Sequence, residues 1–244
     1  MKKIAFFILI APASFSAELL PIPKINIGIS QAKGPQDVAL SLQILFLLTI
    51  LTLVPSIIMM VTSFVRIVIV LTFMKQALSV QQAPPQQIIT ALALFLTFFI
   101  MSPTLKKVNE VALQPYLAGK MGHYEALNSA SRPIKDFMLR QTREKDLALF
   151  VNIAKIPRPK NREELPVWTV IPAFMTSELT TAFQIGILLF IPFLVIDLIV
   201  SSVLMSMGMI MLPPAMISLP FKILLFVMVD GWNLLIHQLV LSFK

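Results

Sequence analysis

The 244-residue chain contains no cysteine. That excludes thiol nucleophiles, disulfides and thiolate metal sites, and it leaves the redox compartment open. With seven glycines the chain has little room for phosphate-cradling loops, and no G-x-x-x-x-G-K-[ST] run occurs. A G-x-S-x-G nucleophile elbow is also missing. The two histidines, His123 and His237, belong to no H-x-x-x-H or H-E-x-x-H pattern. Charge is scarce: 13% of residues, where soluble domains carry about a quarter. No catalytic constellation can be assembled, so the chain is expected to be no enzyme and to need no metal or cofactor.

What is present is apolar. Hydrophobic residues make up 57% of the chain, the mean hydropathy is +0.85, and several runs reach the roughly 20 residues that cross a bilayer. These features predict an all-α, polytopic membrane protein. The net charge of +8 is no nucleic-acid signal, because twelve of the twenty Lys and Arg fall between Lys106 and Trp168 among seven of the twelve acids. That mixture describes a solvated domain.

In chain order, Met1-Lys2-Lys3, the apolar stretch Ile4 to Ala11, and the small residues Ser14, Ser16 and Ala17 form a secretory signal peptide over 1–17, with cleavage near Ser16 or Ala17. The alternative is an uncleaved, partly inserted anchor. Residues 18–37 read as an exposed lead-in. A first hydrophobic hairpin follows over 38–105, with Pro55 a kink or boundary. Its segment from Val38 to Val65 has no charge and continues through Leu71, enclosing Arg66, which either faces a partner or snorkels at a membrane edge. Gln81 to Gln87 is a polar break, and Ile88 to Leu105 a second span ending at Lys106-Lys107. Residues 106–168 form a small polar helical domain, with Ser131-Arg132-Pro133 a helix start and Ile156-Pro157-Arg158-Pro159 a stop. The signal peptide and two crossings put it in the periplasm, against the weight of its Lys and Arg.

Residues 169–244 form the second hydrophobic hairpin. From Leu179 to Phe243 its only formal charges are Asp197, Lys222 and Asp230. With helices meeting at Met205 to Pro214, Asp197 lies about 12 Å before the turn and Lys222 about 12 Å after it. They share a depth and can compensate one another; a proton relay is the competing reading. Glu178 and Arg66 are a second candidate structural pair, although nothing in their spacing places them together. Asp230-Gly231-Trp232 reads as an interfacial anchor. In the turn, methionines 205, 207, 209 and 211 alternate, so an extended backbone would aim all four to one side. Flexible thioethers there make either a deformable seal or simple packing between helices.

Phe64 to Leu71, Ala93 to Pro103, Ile171 to Leu179, Phe190 to Asp197, Met209 to Pro214, Leu219 to Lys222 and Val229 to Trp232 together resemble the FliP/SctR family of type III secretion export gates. The resemblance covers most of the chain after Val38, and the signal peptide favours the flagellar branch. It implies a core subunit of the flagellar protein export gate at the basal body in the bacterial inner membrane. The partners it implies are further copies in a pentameric ring, FliQ, FliR, FlhB, FlhA and the FliF ring, with unfolded export substrates as cargo and no nucleic acid. It further implies a pore gasket at Met209, Ile210 and Met211, to which the alternation adds Met207. It also implies helices that stand largely out of the bilayer plane in the assembled complex. A proton-conducting channel or small-solute transporter subunit is the alternative function.

Overall fold

A computed structural model describes residues 35–80, 84–157, 161–209 and 211–243. The signal peptide, most of the lead-in, the start of the Gln81 to Gln87 break, Arg158 and Pro159 of the expected helix stop, and Ile210 lie outside the described residues. The described chain is helical, with no strand among the described residues. Two compact units divide at Leu48. The first contributes the start of helix α1 (Pro35–Met60), and the unit from Thr49 contains everything below.

Thr62 and Ser63 break the long apolar segment that the sequence presents as continuous to Leu71. The Thr62 hydroxyl donates to the Met59 carbonyl at 3.2 Å and accepts from the Phe64 amide at 3.4 Å. Such local bonds compete with the helical ladder, and a new helix, α2 (Phe64–Ala77), starts there. At 14 residues it is about 21 Å long, and Ile67, Val70 and Leu71 are fully buried. It therefore packs inside the protein, against α3 (Gln86–Val108) and α7 (Val167–Ser206).

A π-helical turn (Asn109–Leu113) and α4 (Gln114–Leu117) prolong α3. Helices α5 (His123–Gln141) and α6 (Glu144–Ile153) return against α3 and α7, burying Phe137, Met138, Leu147 and Val151 against Phe174 and Val170. Ser131-Arg132-Pro133 is not a helix start: α5 runs through Pro133. Proline removes one backbone bond, which costs about 3 kcal/mol, and the buried Phe137 and Met138 face beyond it offsets that loss.

Helix α7 has 40 residues and contains Pro172 and Pro192. Its length of about 60 Å is twice the roughly 30 Å of a hydrocarbon core. Among the described residues three helical stretches are long and apolar enough to cross a membrane, Leu42–Met60, Gln86–Leu117 and Val167–Ser206; α8 (Pro214–Met228) with α9 (Gly231–Leu241), bent by 65°, supplies a fourth if counted as one span. Ile187, Leu188, Leu194 and Leu198 on α7 and Val227 and Met228 on α8 are exposed. Among the described residues no polar layer covers them, which suits lipid or a neighbouring subunit.

The methionine segment is not extended. Helix α7 continues through Ser206, and Met207 is still in a helical conformation. Gly208 then adopts φ +76°, and the chain closes with Gly208 N–H to the Met205 carbonyl and Met209 N–H to the Leu204 carbonyl, each 3.0 Å. This is the left-handed glycine stop of a helix, open to a residue without Cβ. A period of two requires a strand, and here the apolar run carries the helix up to the glycine.

Candidate functional site

Among the described residues two clusters built around a buried cation stand out, and both join residues far apart in sequence. Arg66, on the buried side of α2, is 2% exposed and Glu178, on α7, is 0% exposed. Arg66 Nε donates to Glu178 Oε2 at 2.8 Å, and Nη2 donates to Oε1 of the same carboxylate. Arg66 Nη1 reaches the Ser242 carbonyl at 2.8 Å and its hydroxyl at 3.1 Å, while Nη2 also reaches Gln141 Oε1 at 3.2 Å. A guanidinium has five N–H groups, and these contacts can use all five. The Phe243 ring sits 3.9 Å from the guanidinium carbon, adding a cation–π contact. Gln141 in turn donates to the Phe243 carbonyl at 3.0 Å. One cation thus ties α2, α5, α7 and the end of the chain.

The second cluster lies near the turn. Lys222, on α8 and 1% exposed, donates to Asp197 Oδ2 and to Ser79 Oγ, both at 2.7 Å. Ser218 donates to Asp197 Oδ1 at 2.5 Å. Asp197 is 38% exposed, so only the lysine side of this pair is fully withdrawn from solvent. Pro220 separates Ser218 from Lys222 and interrupts the α8 ladder. The Asp197 carboxylate therefore grips α8 on both sides of its weakest point.

Beyond these clusters stands the methionine turn. Met207 is two-thirds exposed, Met209 partly exposed and Met211 97% exposed, as is Met205 at 69%. Ile210 lies outside the described residues. Asp230 takes φ +51° between α8 and α9 and accepts from Asn233 at 3.1 Å. Gly231 follows it where a Cβ would lie 2.1 Å from Phe226.

Sequence reasoning did not identify Ser79, Ser218, Gln141 or Ser242 as partners. Ser218 was within reach, because it precedes Lys222 by one helical turn and shares its face. Ser79, 143 residues from Lys222, left no signal. A further tie joins Arg143, whose amide donates to Ser177 Oγ at 2.8 Å and whose guanidinium pairs with Asp146 at 2.7 Å. Among the described residues no three His, Asp or Glu side chains cluster as metal ligands.

The matches to known proteins extend across both clusters and the turn. The model of the FliP family matches residues 47–239. The flagellar biosynthetic protein FliP of Bacillus subtilis is 53% identical over 89% of this chain and 98% of its own. Its namesake in Aquifex aeolicus is 50% identical over the full length of both, and that of Caulobacter vibrioides 51% identical over 96% of this chain and 88% of its own. With Arg66, Glu178, Asp197, Lys222 and the methionine turn all inside the matched span, this chain belongs to the FliP family.

Proposed function

We propose that the chain is a core subunit of the bacterial flagellar protein export gate, at the basal body in the inner membrane, forming with further copies a pore for unfolded flagellar proteins. Its relatives' name, flagellar biosynthetic protein FliP, supports the flagellar role. The observation that carries the pore reading is the exposed methionine turn at the apex of the α7–α8 hairpin, whose two helices are joined below it by the buried Lys222 and by Asp197. Unbranched thioethers conform to whatever passes or closes against them. Repeated around a ring, Met207, Met209, Ile210 and Met211 form a gasket.

The two clusters then have structural work. Arg66 with Glu178 fixes α2 on α7, and Asp197 with Lys222 fixes α8 on α7. The ring is proposed as a pentamer working with FliQ, FliR, FlhB, FlhA and the FliF ring, and energy and substrate choice are assigned to those partners. The polar helices over 106–168 stand in the periplasm in this arrangement, between the two hydrophobic hairpins of 38–105 and 169–244.

The test is ion leak through cells expressing the chain with these partners, wild type against a variant carrying Met209→Ala and Met211→Ala. Increased leak with the complex still assembled supports the gasket. Unchanged leak in an assembled complex removes it.

A further inference from the structure

Ser79 is a non-glycine residue with φ +59°, a left-handed conformation disfavoured wherever a Cβ is present. It follows the end of α2 and closes that helix, its amide donating to the Gln76 carbonyl at 2.9 Å. Glycine would occupy this position without strain. What serine adds is Oγ, which accepts from the buried Lys222 ammonium at 2.7 Å. Strain at one residue is retained where its side chain has a partner to reach.

The surroundings give this contact leverage. Beside it lies a cavity of about 740 Å³, bordered by Gln76, Ser79 and Gln86 on one side and by Ala215, Met216 and Leu219 on the other. The first turns of α8 therefore face open space where they approach the end of α2. Pro220 weakens α8 directly behind them. Beside that gap, the Lys222–Ser79 hydrogen bond joins the two elements.

We propose that Ser79 is the positioning residue that holds the start of α8, and with it the methionine turn, at a fixed distance from the end of α2. The contact stands by itself, and its consequence for export rests on the reading of the turn as part of a gate. The strained serine is then a spacer: its backbone conformation aims Oγ at the ammonium.

The absence of native cysteine makes the test direct. Gln76→Cys and Met216→Cys place spin labels on opposite walls of the cavity in the full chain, reconstituted in lipid nanodiscs, and pulsed electron resonance reads the distance between them. The parent should give one narrow population. Ser79→Gly, which keeps the backbone shape and lacks Oγ, should lose that population to a broad distribution while the chain stays folded. Ser79→Asn, which tolerates the same backbone and offers a carbonyl oxygen, should restore it. An unchanged distribution in Ser79→Gly overturns the proposal, and so does a distribution in Ser79→Asn as broad as in Ser79→Gly. Because the readout is a distance, its failure is separable from a failure of the gasket, which shows as unchanged ion leak.

Discussion

Replacing Glu178 by glutamine tests whether the Arg66 cluster is held together by its charges or merely by its shape. The substitution preserves volume and one acceptor oxygen, yet it leaves the guanidinium without a counter-ion and turns an NH2 group toward one of its donors. Both side chains are withdrawn from solvent, at 2% and 0% exposed, so water cannot take over. Breaking such a pair from one side costs about 3–5 kcal/mol. Glutamine's remaining oxygen puts the expected loss at the lower end, about 3 kcal/mol, or roughly a hundredfold in the unfolding equilibrium. Removing both partners, with Arg66→Met and Glu178→Met, leaves no uncompensated charge and only strands Ser242 and Gln141, so about 1–3 kcal/mol is expected. Unfolding of the purified chain in mixed micelles, titrated with a denaturing detergent, gives both values and those of the single variants Arg66→Met and Glu178→Met. A Glu178→Gln loss below about 1 kcal/mol, or a double variant equal to the sum of its singles, would refute the argument that a buried pair and not packing sets this energy.

Gly186→Ala should destabilise by about 1–3 kcal/mol, because its Cβ would lie 2.3 Å from the Phe73 ring. Adding Phe73→Leu should recover part of the loss in a thermal melt. Lys222→Asp alone sets two carboxylates against each other and should abolish assembly, whereas combination with Asp197→Lys should restore it, since Ser79 and Ser218 hydroxyls can donate or accept. Asp197→Asn should keep flagellar export measurable by swimming; complete loss of export in an assembled Asp197→Asn complex would instead mark a proton path.

The helical class was legible because apolar runs near 20 residues admit little else. The depth argument that set Asp197 opposite Lys222 needed only a turn position and a helical rise, and the two side chains are 2.7 Å apart. No comparable argument reaches Arg66 and Glu178, which are 112 residues apart on helices whose mutual placement depends on the whole packing. Proline is a poor guide to boundaries here: Pro133, expected at a helix start, lies inside α5, and the 40-residue α7 contains two prolines within a single helix. Helix propensity is a local quantity, and buried faces such as Phe137 and Phe174 outweigh it. The methionine alternation was real in sequence, but its meaning assumed a strand that the glycine stop replaces with a helix end.

Arg66 also carries a consequence for biosynthesis. Its carboxylate partner is encoded 112 residues later and its Ser242 partner 176 residues later. At a synthesis rate of about 5–20 residues per second, Glu178 emerges about 6–22 s after Arg66. Through that interval α2 holds a cation with no counter-ion and is too short to cross a bilayer. The Arg66–Glu178 pair therefore cannot form until synthesis has passed Glu178 in α7.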